Sequence, residues 1–101
     1  MRRITEHQAY MTRTLADACE KDAELDAAVK DAYIKFCVCN WGDTHPDDAK
    51  LNDEALTAEA GRIVAKYKMP AGSPDDLFII MTFDEPSLHA NAATIMFCSD
   101  Y

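Results

Sequence analysis

The feature that most constrains this chain is a change of hydrophobic period at Gly61. Ahead of it, apolar residues recur every three or four positions, the spacing of one helix face. Leu25, Ala28, Val29, Ala32, Tyr33, Phe36 and Cys37 form such a stripe within residues 23–39, an Ala-rich stretch without Gly or Pro. Asp22 can cap this helix. A shorter helix is expected over 14–21, capped by Thr14 with Asp17 three residues on. Asn40-Trp41-Gly42-Asp43 stops the long helix, with Gly42 suited to the positive φ of a helix end. Thr44-His45-Pro46-Asp47 then starts a helix over roughly 46–58, with Ala49, Leu51 or Asn52, Ala55 and Leu56 inward and Gly61 as its end.

Past Gly61 the period becomes two. Ile63, Ala65 and Tyr67 alternate with Val64, Lys66 and Lys68, as in a half-exposed strand. Leu77–Phe83 is apolar nearly throughout and reads as a central strand covered on both faces. A third strand carries Thr94-Ile95-Met96-Phe97-Cys98. Loops of about eight residues favour antiparallel neighbours, because parallel pairs need crossovers of a dozen or more. The expected fold is therefore α+β. Two to three N-terminal helices pack on a three-stranded antiparallel sheet, with strands at about 62–69, 77–83 and 93–98. Residues 1–101 make a single domain, in which 1–13 is a loosely ordered arm.

Charge narrows the partners. Eighteen acids against ten Lys and Arg give a net charge of -8, which disfavours direct binding to nucleic acid or to an anionic membrane. The first residues carry two cations without an apolar run behind them, so no export signal is read there. The longest strongly apolar run, Leu77–Met81, is five residues, far short of a membrane span. Cys19, Cys37, Cys39 and Cys98 are accordingly expected as reduced, mostly buried thiols of a cytoplasmic protein.

Catalytic patterns are weak. Cys37 and Cys39 diverge by about 200° on a helix, which spoils a zinc pair, and His7, His45 and His89 are scattered. Asp43, Asp47, Asp48, Asp53 and Glu54 do not follow the order of a calcium loop. No acid lies in Leu77–Phe83, where a metal-dependent nuclease would set one. Ser73, Ser87 and Ser99 sit in no nucleophile elbow, and Cys39 near Trp41 and His45 lies in acidic surroundings that disfavour a thiolate. There is no Gly-rich phosphate loop, so neither an enzyme nor a cofactor or metal is expected.

The charge pattern remains. Residues 43–59 hold six acids against Lys50 alone, and residues 17–31 six against Lys21 and Lys30. These are either solvated helix faces or a surface aimed at a basic partner. In the second case the partner-binding residues are Trp41, Asp43, Asp47, Asp48, Asp53 and Glu54. Trp41 is an aromatic anchor if exposed, and a core plug between helix and sheet if not.

Asn40-Trp41-Gly42-Asp43, Asn52, Ala55-Leu56, Gly61-Arg62, Tyr67, Leu77–Met81 and Thr94-Ile95-Met96-Phe97 ending in Tyr101 carry a resemblance. From about Met11 to the last residue the chain resembles an uncharacterised family of small proteins encoded on plasmids, phages and other mobile elements of anaerobic gut bacteria. It departs from that pattern in a longer loop at Asp84–Ala93 and in Cys98-Ser99-Asp100. The resemblance implies a cytoplasmic mobile-element protein and transfers no catalytic residue. Physically, Gly42 and Gly61 read as turn residues, Asp43 as a cap, and Arg62 as a partner of Asp43 or of the C-terminal carboxylate.

The functional expectation is an acidic inhibitor of a host nucleic-acid-handling defence complex, of the anti-CRISPR kind. It would bind a basic surface of a host protein or nucleoprotein complex. The alternatives are an adaptor that docks through a sheet edge and a metal-dependent enzyme.

Overall fold

The computed structural model describes residues 8–83 and 92–101. In chain order the elements are β1 (Gln8–Met11), α1 (Arg13–Lys21), α2 (Ala23–Cys37), α3 (Pro46–Ala58), β2 (Arg62–Tyr67), β3 (Leu77–Thr82) and β4 (Ala92–Phe97), closed by a 3-10 turn at Cys98–Asp100. The α+β class and the three later strands stand where the periodicity put them, each shifted by a residue or two.

The sheet differs from the expectation. It has four strands in the order β1-β4-β3-β2, and it is mixed. β2–β3 and β3–β4 are antiparallel, while β1 lies parallel to β4 with Ala9 opposite Ala93 and Met11 opposite Ile95. Loop-length reasoning covers only strands adjacent in sequence. β1 and β4 are joined through the rest of the chain, so the crossover that parallel pairing needs is present. Part of the expected N-terminal arm is thus strand and helix, and residues 1–7 lie outside the described residues.

Three end signals also differ. Thr12, not Thr14, precedes α1, because its N–H closes the β1–β4 ladder on Ile95 C=O at 3.0 Å. Asp22 does cap α2, accepting from Glu24 N–H at 3.1 Å and Leu25 N–H at 3.2 Å. At the far end of α2, Cys39 takes the left-handed conformation (φ 63°) while Asn40 N–H reaches back to Lys35 C=O. That is a Schellman ending with Cys where Gly is usual. Glu59 (φ 51°) does the same for α3, so Gly42 and Gly61 terminate neither helix.

α1 and α2 cover one face of the sheet. Leu15, Leu25, Val29 and Phe36 from the helices meet Ile63, Leu77, Ile79 and Met81 from the strands, all within 1% of full burial. The opposite face is half open: Phe78, Ile80 and Thr82 alternate with the buried positions of β3. β3 is therefore covered on one face, not two, because α3 lies along β2 rather than over the sheet. Most of the unusual Asp84–Ala93 loop, residues 84–91, lies outside the described residues. Among the described residues, no helix is long and apolar enough to cross a membrane.

Candidate partner-binding face

α3 starts at Pro46, whose ring suits the first helical position. His45 caps it by accepting Asp47 N–H on Nδ1 at 3.2 Å. Asp47 and Asp48 stand in the first turn, where the helix dipole favours anions. One α3 residue is fully buried, and it is polar: Asn52, 3% exposed. Its side chain donates to Val64 C=O at 2.9 Å and accepts Val64 N–H at 3.0 Å. The loop before α3 continues that pattern along β2. Lys66 N–H donates to Thr44 Oγ1 at 2.8 Å, Asp43 N–H donates to Lys66 C=O at 2.9 Å, and Lys68 N–H donates to Asp43 Oδ2 at 2.9 Å. An edge strand's outward backbone groups are thereby satisfied by side chains and loop instead of by another strand.

This arrangement divides the six expected site residues. Trp41 is a core residue, 7% exposed, edge-on to Phe36 with ring centroids 5.7 Å apart. Its indole N–H donates to Asp53 Oδ1 at 2.9 Å. Of the two roles open to Trp41, the structure shows the core plug and not an exposed anchor. Asp43 holds the end of β2 and Asp53 holds the Trp41 indole, so both carboxylates, though exposed, are tied to the fold by hydrogen bonds. Asp47, Asp48 and Glu54 are exposed on α3.

Among the described residues no Lys or Arg pairs with Asp47, Asp48 or Glu54. His45 Nδ1 lies 3.8 Å from Asp47 Oδ2, and the same nitrogen accepts Asp47 N–H to cap the helix. α2 contrasts with this. There Asp26 pairs with Lys30 at 2.9 Å and Asp31 with Lys35 at 3.1 Å, so two of its three acids are matched along the helix. The acidic stretch of α3 is exposed and uncompensated; that of α2 is largely neutralised.

A cleft of 640 Å³ opens where α3 meets the half-open sheet face. Asp43, His45 and Asp48 line its helix side, Arg62 and Lys66 its strand side, with Val64 and Phe78 between. Arg62 does not reach Asp43. Its guanidinium stands over the Tyr101 ring at 5.7 Å, and that ring packs edge-on against Phe78. The expected link to the C-terminal residue thus runs through the ring in a cation–π contact.

None of the four cysteines forms a disulfide. Cys19 is buried and the other three are half-buried. Burial pushes the Cys19 and Cys98 thiols up, and nearby acids push them further, which keeps both protonated and poor as nucleophiles at neutral pH. Tyr33 is pushed up to about 12, first by burial and then by its hydrogen bond with Cys37. Among the described residues no group of three His, Cys, Asp or Glu side chains is placed to hold a metal ion.

Sequence reasoning missed two features of this region. Asn52 was placed on the inward face only as an alternative to Leu51, which is 59% exposed. The capping of β2 has no local signature, since it joins residues 12 and 22 positions apart. Comparison with protein-family models, with curated proteins and with solved structures gave no match.

Proposed function

We propose that this is a binding protein rather than an enzyme, acting through the exposed acids Asp47, Asp48 and Glu54 of α3 on a basic surface of its partner. In this reading it serves a mobile element as an inhibitor of a host nucleic-acid-handling defence complex, in the anti-CRISPR manner, and works in the cytoplasm. The observation that carries the reading is the uncompensated charge of α3 beside the neutralised charge of α2. Acids left without cations on a rigid helix impose a directed field, which raises encounter rates with a positive groove and selects against anionic ligands. The resemblance to mobile-element proteins supplies the biological setting.

The test is capture of partners on the immobilised protein from a bacterial lysate at low and high salt, beside the variant Asp47→Asn, Asp48→Asn, Glu54→Gln. A partner of the proposed kind is retained by the wild type at low salt, released at high salt and lost to the variant. Equal retention by both proteins overturns the reading.

An adaptor that docks by a sheet edge is favoured by one observation. The edges of the three-stranded order are both covered, β2 by α3 and its leading loop and β4 by β1, but the outer side of β1 is not met by any described residue.

A further inference from the structure

The 640 Å³ cleft between α3 and the half-open sheet face carries charges of both signs that do not meet. Asp48 lines its helix wall and Arg62 its strand wall. Among the described residues neither forms an ion pair. The other charged groups of the cleft have work in the fold. Asp43 accepts Lys68 N–H, His45 caps α3, and Lys66 favours the charged form of Asp75.

Arg62 is held in place without a carboxylate. Its guanidinium stands over the Tyr101 ring at 5.7 Å, and that ring packs edge-on against Phe78. Such a contact uses the flat face of the guanidinium and leaves the N–H groups along its edge for a carboxylate. Half-buried Val64 and Phe78 lie between the two walls and are apolar. Asn52 adds a directed donor. It lines the cleft at 3% exposure, and of its two amide N–H groups Val64 C=O takes one. A buried donor left over in this way calls for a carbonyl partner.

Charge selects the occupant. A nucleotide or other polyanion is repelled by Asp43 and Asp48, and a purely cationic group by Arg62 and Lys66. An apolar ligand covers Asp48 and Arg62 without pairing either, which costs their desolvation. A ligand that carries both signs satisfies both walls. A free amino acid has the two charges but no amide C=O for Asn52. A short peptide has all three groups, and a cleft of 640 Å³ is within the size range of small-molecule sites.

We propose that this cleft binds a short zwitterionic peptide of dipeptide size. Its ammonium pairs with Asp48, its carboxylate with the edge of Arg62, and its amide C=O accepts the second N–H of Asn52. An apolar side chain rests on Phe78 and Val64. The site uses Asp48 alone among the three acids assigned to the protein partner, so it does not depend on that assignment.

Calorimetric titration tests this with four probes: leucyl-phenylalanine, its N-acetyl form, its C-terminal amide, and free phenylalanine. The wild type binds the dipeptide saturably. Each of the other three binds about tenfold or more weakly, the scale of losing one hydrogen bond to a charged group. Arg62→Gln weakens the dipeptide by a similar factor but does not weaken the amide further, because the amide has no carboxylate to lose. Asp48→Asn behaves the same way towards the N-acetyl form. Lys68→Gln, which removes a cation outside the cleft, leaves dipeptide binding unchanged. Circular dichroism confirms that the variants, all at exposed positions, are folded. The probe series on the wild type decides by itself if one is not. A wild type that does not bind the dipeptide overturns the proposal. So does equal binding of the blocked forms or of free phenylalanine, and so does an Arg62→Gln variant that weakens the dipeptide and its amide alike.

Discussion

The Asn52 side chain and the Val64 backbone exchange two hydrogen bonds, at 2.9 and 3.0 Å, in the way two paired strand residues would. A helix side chain thereby takes the place of a neighbouring strand at the β2 edge. Replacing it with Ala leaves two backbone groups of Val64 without partners beside the core. Asn52→Ala should therefore cost about 2–3 kcal/mol, more than a typical surface change, because partly buried donors and acceptors lose their bonds together. Denaturant unfolding measures it, and a loss below about 0.5 kcal/mol would show that water replaces the amide without penalty.

Gly42 has a close-approach role rather than a helix-ending one. Its φ is 62°, and a Cβ placed on it would overlap the ring of Tyr67. That ring is 3% exposed and its hydroxyl donates to Asn40 C=O at 2.9 Å, so it has no room to withdraw. Gly42→Ala should destabilise by roughly 1–3 kcal/mol from backbone strain and steric overlap together. It should also bring forward the alkaline titration of Tyr67, whose hydroxyl burial pushes well above the ordinary tyrosine range. Thermal melts and the ultraviolet tyrosinate titration read the two effects separately.

Glu59 offers the opposite experiment. It adopts φ 51° at the end of α3, a conformation that costs a non-glycine residue about 1–2 kcal/mol. Glycine relieves this but gains freedom in the unfolded chain, which returns roughly 0.4–1 kcal/mol of the benefit. The net expectation for Glu59→Gly is a stabilisation of about 0.5–1 kcal/mol. A destabilised variant would mean that the Glu59 side chain makes a favourable contribution of its own.

Asp75 ties the turn before β3 to the C-terminal turn. Its carboxylate accepts Asp76 N–H at 2.8 Å and Ser99 N–H at 2.7 Å, and these bonds hold its pKa below the ordinary value. A lowered folded-state pKa means that the carboxylate's contribution is fully present above the unfolded value, near pH ~4. It is lost as pH falls further and the group protonates. The stability gap between wild type and Asp75→Asn should thus be constant above about pH 5 and shrink towards pH 3. Unfolding curves at matched pH check this, and a gap that widens in acid would contradict the assignment.

Much of this architecture was legible from local pattern. Leu25, Val29, Ala32 and Phe36 lie on the face that their spacing announces, and the alternation of Ile63, Ala65 and Tyr67 matches their burial. Relations between distant segments were not legible. β1 is four residues long with polar flanks, and its partner is more than 80 positions away. No periodicity signals that pairing. Likewise Asp43 and Asp53 are exposed acids whose bonds from Lys68 N–H and the Trp41 indole no local pattern announces. Charge counts along a sequence register how many acids a helix carries, but not which of them the backbone recruits. Cys39 and Glu59 in left-handed positions show the same limit, since Gly residues three and two places on were the natural candidates.

Titration against the captured basic partner at two salt concentrations decides whether Asp47, Asp48 and Glu54 serve a partner and not the fold. Substitution to Asn, Asn and Gln removes three exposed charges that no Lys or Arg of the described residues neutralises. The account predicts unfolding free energy changed by no more than about 1 kcal/mol per residue, the size of an exposed helix-dipole contribution. It predicts affinity reduced at least about tenfold at low salt, since close charge pairs across an interface couple by ~1.5–7 kcal/mol. It also predicts a shallower salt dependence, because fewer screened contacts remain. Lys66→Gln with Lys68→Gln, on the basic strand, should leave binding unchanged or slightly tighter. A triple variant that folds normally and binds the partner with undiminished affinity would contradict the account.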